Sequence, residues 1–146
     1  MATEHFIGSD RYIIDDDLVH NIPDPTCSLD LEAMQAYTEL LEPVFVKFGR
    51  IFLLTDVAMV SAVTAQARRH LADWSRGSQI AASAMYGGNY VGRTLIKMTV
   101  SVMSLSGINR GKISANQLFC ATEAEARSWL LREKEKYLAA HPGAVR

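Results

Sequence analysis

Apolar and polar residues alternate with a period near two over the first 22 positions, then recur at intervals of three and four over 34–48. His5-Phe6-Ile7, Arg11-Tyr12-Ile13-Ile14 and Leu18-Val19-His20-Asn21-Ile22 predict three short strands, with turns at Gly8-Ser9-Asp10 and Asp15-Asp16-Asp17. The acidic triplet is expected to be a solvated hairpin turn. Three consecutive acids in a tight turn cannot all face one ion, and no further ligands follow at calcium-loop spacing. After the loop Pro23-Asp24-Pro25-Thr26, Ser28 is the expected N-cap of a helix with Asp30 and Glu32 in its first turn. Met34, Tyr37, Leu41, Val44 and Phe48 form its core-facing stripe. Pro43 predicts a kink or division near Glu42, and Gly49 a stop.

Arg50 to Asp56 holds an unbroken apolar run closed by an acid. Such a run, buried on both faces, belongs at the centre of a parallel or mixed sheet. A loop over 57–63 leads to Thr64, the predicted cap of a second helix with Ala67, Leu71 and Trp74 inward and a stop at Gly77. Gln79 to Met85 reads as another strand. Residues 89–106 fit both periods, and length and the Asn89 cap favour a helix that is apolar on two sides. Gln117 to Ala121 reads as a last strand. Thr122-Glu123-Ala124-Glu125 is a capping box. The helix it opens is expected to bury Ala126, Trp129, Leu130 and Tyr137 and to present Arg132, Glu133, Lys134, Glu135 and Lys136 to solvent. Together these elements predict one α/β domain over 1–146 with frayed tails at 1–4 and 140–146.

Composition adds exclusions. Of the 146 residues 49% are apolar, and the formal net charge is −1, so no bulk pull toward nucleic acid or acidic lipid is expected. Cys27 and Cys120 are far apart and read as reduced thiols. No signal peptide, lipidation motif or transmembrane run is found, which leads to a cytoplasmic expectation. No phosphate loop, nucleophile elbow or paired metal histidines occur, so neither cofactor nor metal is expected. His70 reads as a surface histidine on a basic helix.

Asp56, at a strand end, can serve as base or ligand in a crevice or cap its own loop. With no second acid, lysine or histidine nearby in sequence, the cap is favoured and an enzyme ranks last. Ser61 and Thr64 are the weak phosphosite candidates, since a phosphate at a helix start would meet free N–H groups. An ordinary N-cap explains Thr64 without a kinase.

The order of elements, the Leu53-Leu54-Thr55-Asp56 strand end, Ala67-Arg68-Arg69, and the stretch from Leu118-Phe119 through Thr122 to Leu130 resemble STAS-like proteins of the anti-sigma-factor-antagonist type. The resemblance is to the bacterial group whose fold is shared with CRAL-TRIO lipid carriers. It implies a mixed sheet with about four helices packed mainly on one face and a non-enzymatic regulatory module that contacts a protein partner. The implied surface is the loop and helix after the central strand: Asp56, Ser61, Thr64, Arg68 and Arg69. The family's Asp-Ser-(Ser/Thr)-Gly signature is absent, since this chain reads Val60-Ser61-Ala62-Val63-Thr64-Ala65 there. The alternative is a carrier with a lipid or small apolar ligand beneath helix 89–106. Tyr90, Leu95, Ile96, Val100 and Met103 are the candidate ligand or partner surface, and a two-sided apolar helix also suits a homodimer.

Overall fold

The computed structural model describes residues 1–24, 29–57, 63–87 and 116–146. Strands β1 (Thr3–Ile7), β2 (Asp10–Asp15) and β3 (Leu18–Ile22) form the expected antiparallel meander. β1 starts inside the stretch expected to fray. Gly8 and Asp16 take positive φ, 60° and 54°, in the two tight turns, a conformation open to glycine and tolerated by aspartate. Helix α1 (Leu31–Phe48) returns the chain to β4 (Ile51–Asp56), which pairs parallel with β3. Helix α2 (Ala65–Asp73) and a 3-10 turn (Ser75–Gln79) lead to β5 (Ile80–Tyr86), and β6 (Gln117–Cys120) and helix α3 (Glu123–Ala140) complete the described chain. The six strands lie in sequence order β1 to β6, and β3 to β6 are parallel. The apolar β4 is therefore interior, as its composition predicts.

Strand alternation divides the core into two layers. Val19, Ile51 and Leu53 point to the face covered by α1 and α2, where they meet Tyr37, Leu41, Phe45 and Ala67. Phe52, Leu54, Ala82 and Ala84 point to the other face, where α3 presents Ala126 and Leu130. Three α-helices thus stand among the described residues rather than about four, two on one face and one on the opposite face. The fourth expected helix, 89–106, lies outside the described residues. So does the expected cap Ser28. Asp30 caps α1 instead, accepting the Ala33 N–H at 2.8 Å.

Two boundaries differ from the sequence pattern for local reasons. α1 runs through Pro43 undivided. Pro43 is exposed, so the carbonyl that loses its N–H partner faces water. α2 ends at Asp73, before Gly77, because Trp74 turns extended and sets its ring edge-on to Phe45 at 5.5 Å.

The acidic triplet is the largest correction. Asp15 and Asp16 are exposed, but Asp17 is fully buried. Its carbonyl accepts the Phe52 N–H at 2.8 Å. Its carboxylate lies 2.8 Å from Nη2 of buried Arg50 and accepts from Lys134 Nζ at 2.6 Å. Parallel pairing of Leu18 with Phe52 brings Asp17 beside the start of β4, and α3 crosses overhead. Lys134 therefore belongs to a buried ion cluster, not to the solvated face expected for it. Arg50 also donates to the Phe48 carbonyl at 3.2 Å and lies over the Phe48 and Tyr137 rings. Its Nη2 meets Asp17 at ion-contact distance without hydrogen-bond alignment.

Candidate functional site

At the corner after β4, the two described ends are each held in place. Asp56 closes β4 in register with Tyr86 of β5, and Val57 is buried. Val63 forms a parallel bridge with Leu29, and the Thr64 N–H donates to the Leu29 carbonyl at 3.0 Å. Thr64 Oγ1 then accepts the Ala67 N–H at 3.2 Å, the predicted cap. Arg68 Nη1 donates to the Val63 carbonyl at 3.0 Å. Arg68 thus clamps the corner, whereas Ala65, Gln66 and Arg69 are exposed. His70, expected at the surface, is half-buried, with Nε2 3.0 Å from Thr38 Oγ1 on α1. Ser61 and the residues Tyr90, Leu95, Ile96, Val100 and Met103 lie outside the described residues.

Asp56 faces away from that corner, toward a second polar group at the carboxyl ends of the parallel strands. His20 of β3 is 6% exposed, and its Nε2 lies 2.7 Å from the Tyr86 hydroxyl. Its Nδ1 lies 4.0 Å from Glu123 Oε1 in the first turn of α3. Burial lowers the His20 pKa. Glu123 and Asp56 oppose that effect, while Arg127 and Arg11 add to it. With His20 neutral and its ring proton on Nδ1, toward Glu123, Nε2 can accept a hydrogen bond from the Tyr86 hydroxyl. Burial, with Asp56 and Glu123 nearby, raises the Tyr86 pKa, which holds the phenol protonated as a donor. On the opposite face Tyr37 donates to Asn21 at 3.2 Å, and Asn21 donates to Thr55 at 3.1 Å.

These residues were missed in the sequence because their partners are remote: 66 positions separate His20 from Tyr86. One signal was readable. His20 shares the strand face of Leu18 and Ile22, a polar residue in an inward register. Asp56, Thr64, Arg68 and Arg69 lie close in sequence, yet the sheet divides them. Asp56 joins His20 and Tyr86 on the α3 face, and the others stay with α1 and α2.

Other chemistry is sparse. A shallow hollow between α1 and the 3-10 turn is lined by Trp74, Glu39 and the Arg76–Glu42 ion pair. Cys120 is a free buried thiol whose pKa burial raises. Among the described residues no group of three His, Cys, Asp or Glu could hold a metal ion, and no helix is long and apolar enough to cross a membrane.

No family model matches the chain, and no curated protein does. Among solved structures it is similar to an uncharacterized protein of the DUF3478 family, with a SpoIIAA-like fold, from Shewanella loihica PV-4. Identity is 16%, the match covers 89% of this chain and 92% of that one, and the TM-score is 0.51. At that identity the likeness concerns the fold alone. The sequential mixed sheet and its flanking helices give this chain a SpoIIAA-like, that is STAS-like, fold.

Proposed function

We propose that this STAS-like chain is a non-catalytic regulatory module that binds a protein partner through the start of α2. The observation that carries the reading is the bracing of that corner. Leu29, Val63, Thr64 and Arg68 hold one another through backbone and cap bonds, so Gln66 and Arg69 are displayed on a fixed platform. A surface held rigid before contact loses little conformational entropy on binding. The hydrogen bonds of Thr64 and Arg68 serve this display, and no reacting group is assigned to them.

Site-specific photo-crosslinking in the native cell tests the reading. A crosslinker at Gln66 or Arg69 should capture one defined protein, and the same group at Glu135 on α3 should not. Equal capture at all three positions, or none at Gln66 and Arg69, would sink it. The alternative, a carrier of a lipid or small apolar molecule, rests on residues 89–106, and nothing in the described part favours it.

A further inference from the structure

The outer edge of the meander carries an inference independent of the corner after β4. Among the described residues β1 is an edge strand. Its register with β2 runs unbroken to the closing pair Ile7–Asp10 across a two-residue turn. Residues of such a ladder bond alternately inward and outward. Thr3, His5 and Ile7 therefore direct their backbone groups to β2, and Glu4 and Phe6 direct theirs to the open edge. β1 carries no proline, lysine or bulge, three of the usual guards of an edge, and its one acid, Glu4, is paired with Arg11 of its own chain.

Among the described residues, no helix covers the α3 side of the sheet beside this edge. Phe6 is 62% exposed and, by register with Arg11 and Ile22, lies on the α3 face. α3 packs on β4, β5 and β6. The β1–β3 half of that face carries Phe6 with half-buried Ile13 and Ile22. Leu131, 53% exposed, flanks it from α3. It lies on the helix side shared by Arg127 and Lys134, and Lys134 reaches Asp17 at the β2–β3 turn.

We propose that β1 pairs antiparallel with β1 of a second copy of this chain, about a two-fold axis at His5, to form one continuous sheet. This register sets Glu4 of each copy opposite Phe6 of the other and makes them the hydrogen-bonded pairs, so the outward backbone groups of both residues are used. It also explains the charges. Arg11 now holds Glu4 of its own chain, Nε to Oε2 at 3.2 Å. Across the axis, Arg11, Phe6 and the second copy's Glu4 would fall in one cross-strand row on the same face. Each copy supplies an acid and receives one, so the edge is complementary to itself, as an isologous dimer requires.

The test uses the full chain in analytical ultracentrifugation, with Phe6→Glu and His5→Cys variants. The wild type should sediment as a dimer. Phe6→Glu, at an exposed site, should keep the circular dichroism spectrum and raise the dimer dissociation constant at least ~10-fold. Residues facing each other in a non-hydrogen-bonded pair stand about 4.5 Å apart at Cα, within disulfide range. Mild oxidation of His5→Cys should therefore link two chains in a yield well above the wild-type background from its own cysteines. A monomeric wild type at all concentrations overturns the proposal. So does a dimer insensitive to Phe6→Glu, or one that gives no added cross-link in His5→Cys.

Discussion

Under α1 and α2 the sheet meets an almost wholly apolar layer, in which Val19, Leu41, Phe45 and Ile51 are buried and Tyr12 stacks obliquely on Tyr37 at 5.1 Å. Under α3 the apolar middle of Phe52, Leu54, Ala84 and Leu130 is bounded by two polar clusters. Asp17, Arg50 and Lys134 lie at the amino edge of the parallel strands. His20, Tyr86 and Glu123 lie at the carboxyl edge. The first layer is held by apolar burial, which is non-directional. The second adds directional contacts at both ends of α3, and these fix where the helix sits. A buried ion pair adds little net stability against an apolar substitute, but removing one partner is severe.

That contrast predicts an order of effects. Asp17→Ala leaves Arg50 charged and buried without its counter-ion and should cost about 3–5 kcal/mol, read from urea unfolding. Replacing Asp17 and Arg50 together by apolar residues of similar volume should recover much of that loss. An additive double variant would show that the cluster is not coupled. Leu41→Ala, fully buried in the other layer, should cost roughly 2–5 kcal/mol as a cavity, with no rescue from a charge change elsewhere.

The helix caps fall below these. Thr122 Oγ1 accepts the Glu125 N–H, and Glu125 Oε2 accepts the Ala121 N–H, both at 3.3 Å. Thr122→Ala should cost about 1 kcal/mol. Hydrogen exchange should show the start of α3 opening while α1 stays protected. Equal loss of protection in both helices would mean that the two layers unfold as one.

A fainter signature comes from pH. The folded pKa of His20 is lowered from the ordinary 6.5, so the unfolded chain binds more protons between the two values. The His20 contribution is therefore complete above about 6.5 and is lost as pH falls through the folded value. Glu42 and Glu133, whose pKa values are lowered by hydrogen bonds to Arg76 and to Asn116 and Lys136 respectively, act below the ordinary carboxylate range. Urea midpoints should thus decline from pH 7 toward 5 in the wild type and flatten in His20→Gln. An unchanged slope in the variant would remove His20 from the account.

Much of the fold was legible in the chain because its signals are local. Alternation placed β1 to β3, spacing of three and four placed the α1 stripe, and the caps at Thr64 and Thr122 marked two helix starts. The apolar run 51–54 marked an interior strand. The site was legible only in part. Thr64 and Arg68 brace the corner through partners at Leu29, Val63 and Ala67, most of them close in sequence. Asp56 does close β4, as the apolar run ending in an acid suggests, but the His20 and Tyr86 beside it come from other strands.

What the pattern could not carry was the fate of individual charges. Asp15, Asp16 and Asp17 are the same residue type in one turn, and only the third is enclosed. Its burial depends on β3 pairing with β4 and on Lys134 arriving from α3, 117 positions away. Hydrophobic period and capping are properties of neighbouring residues and survive without a fold. The environment of a charge depends on which distant groups exclude water from it, and that is decided only when the sheet and its helices close around it.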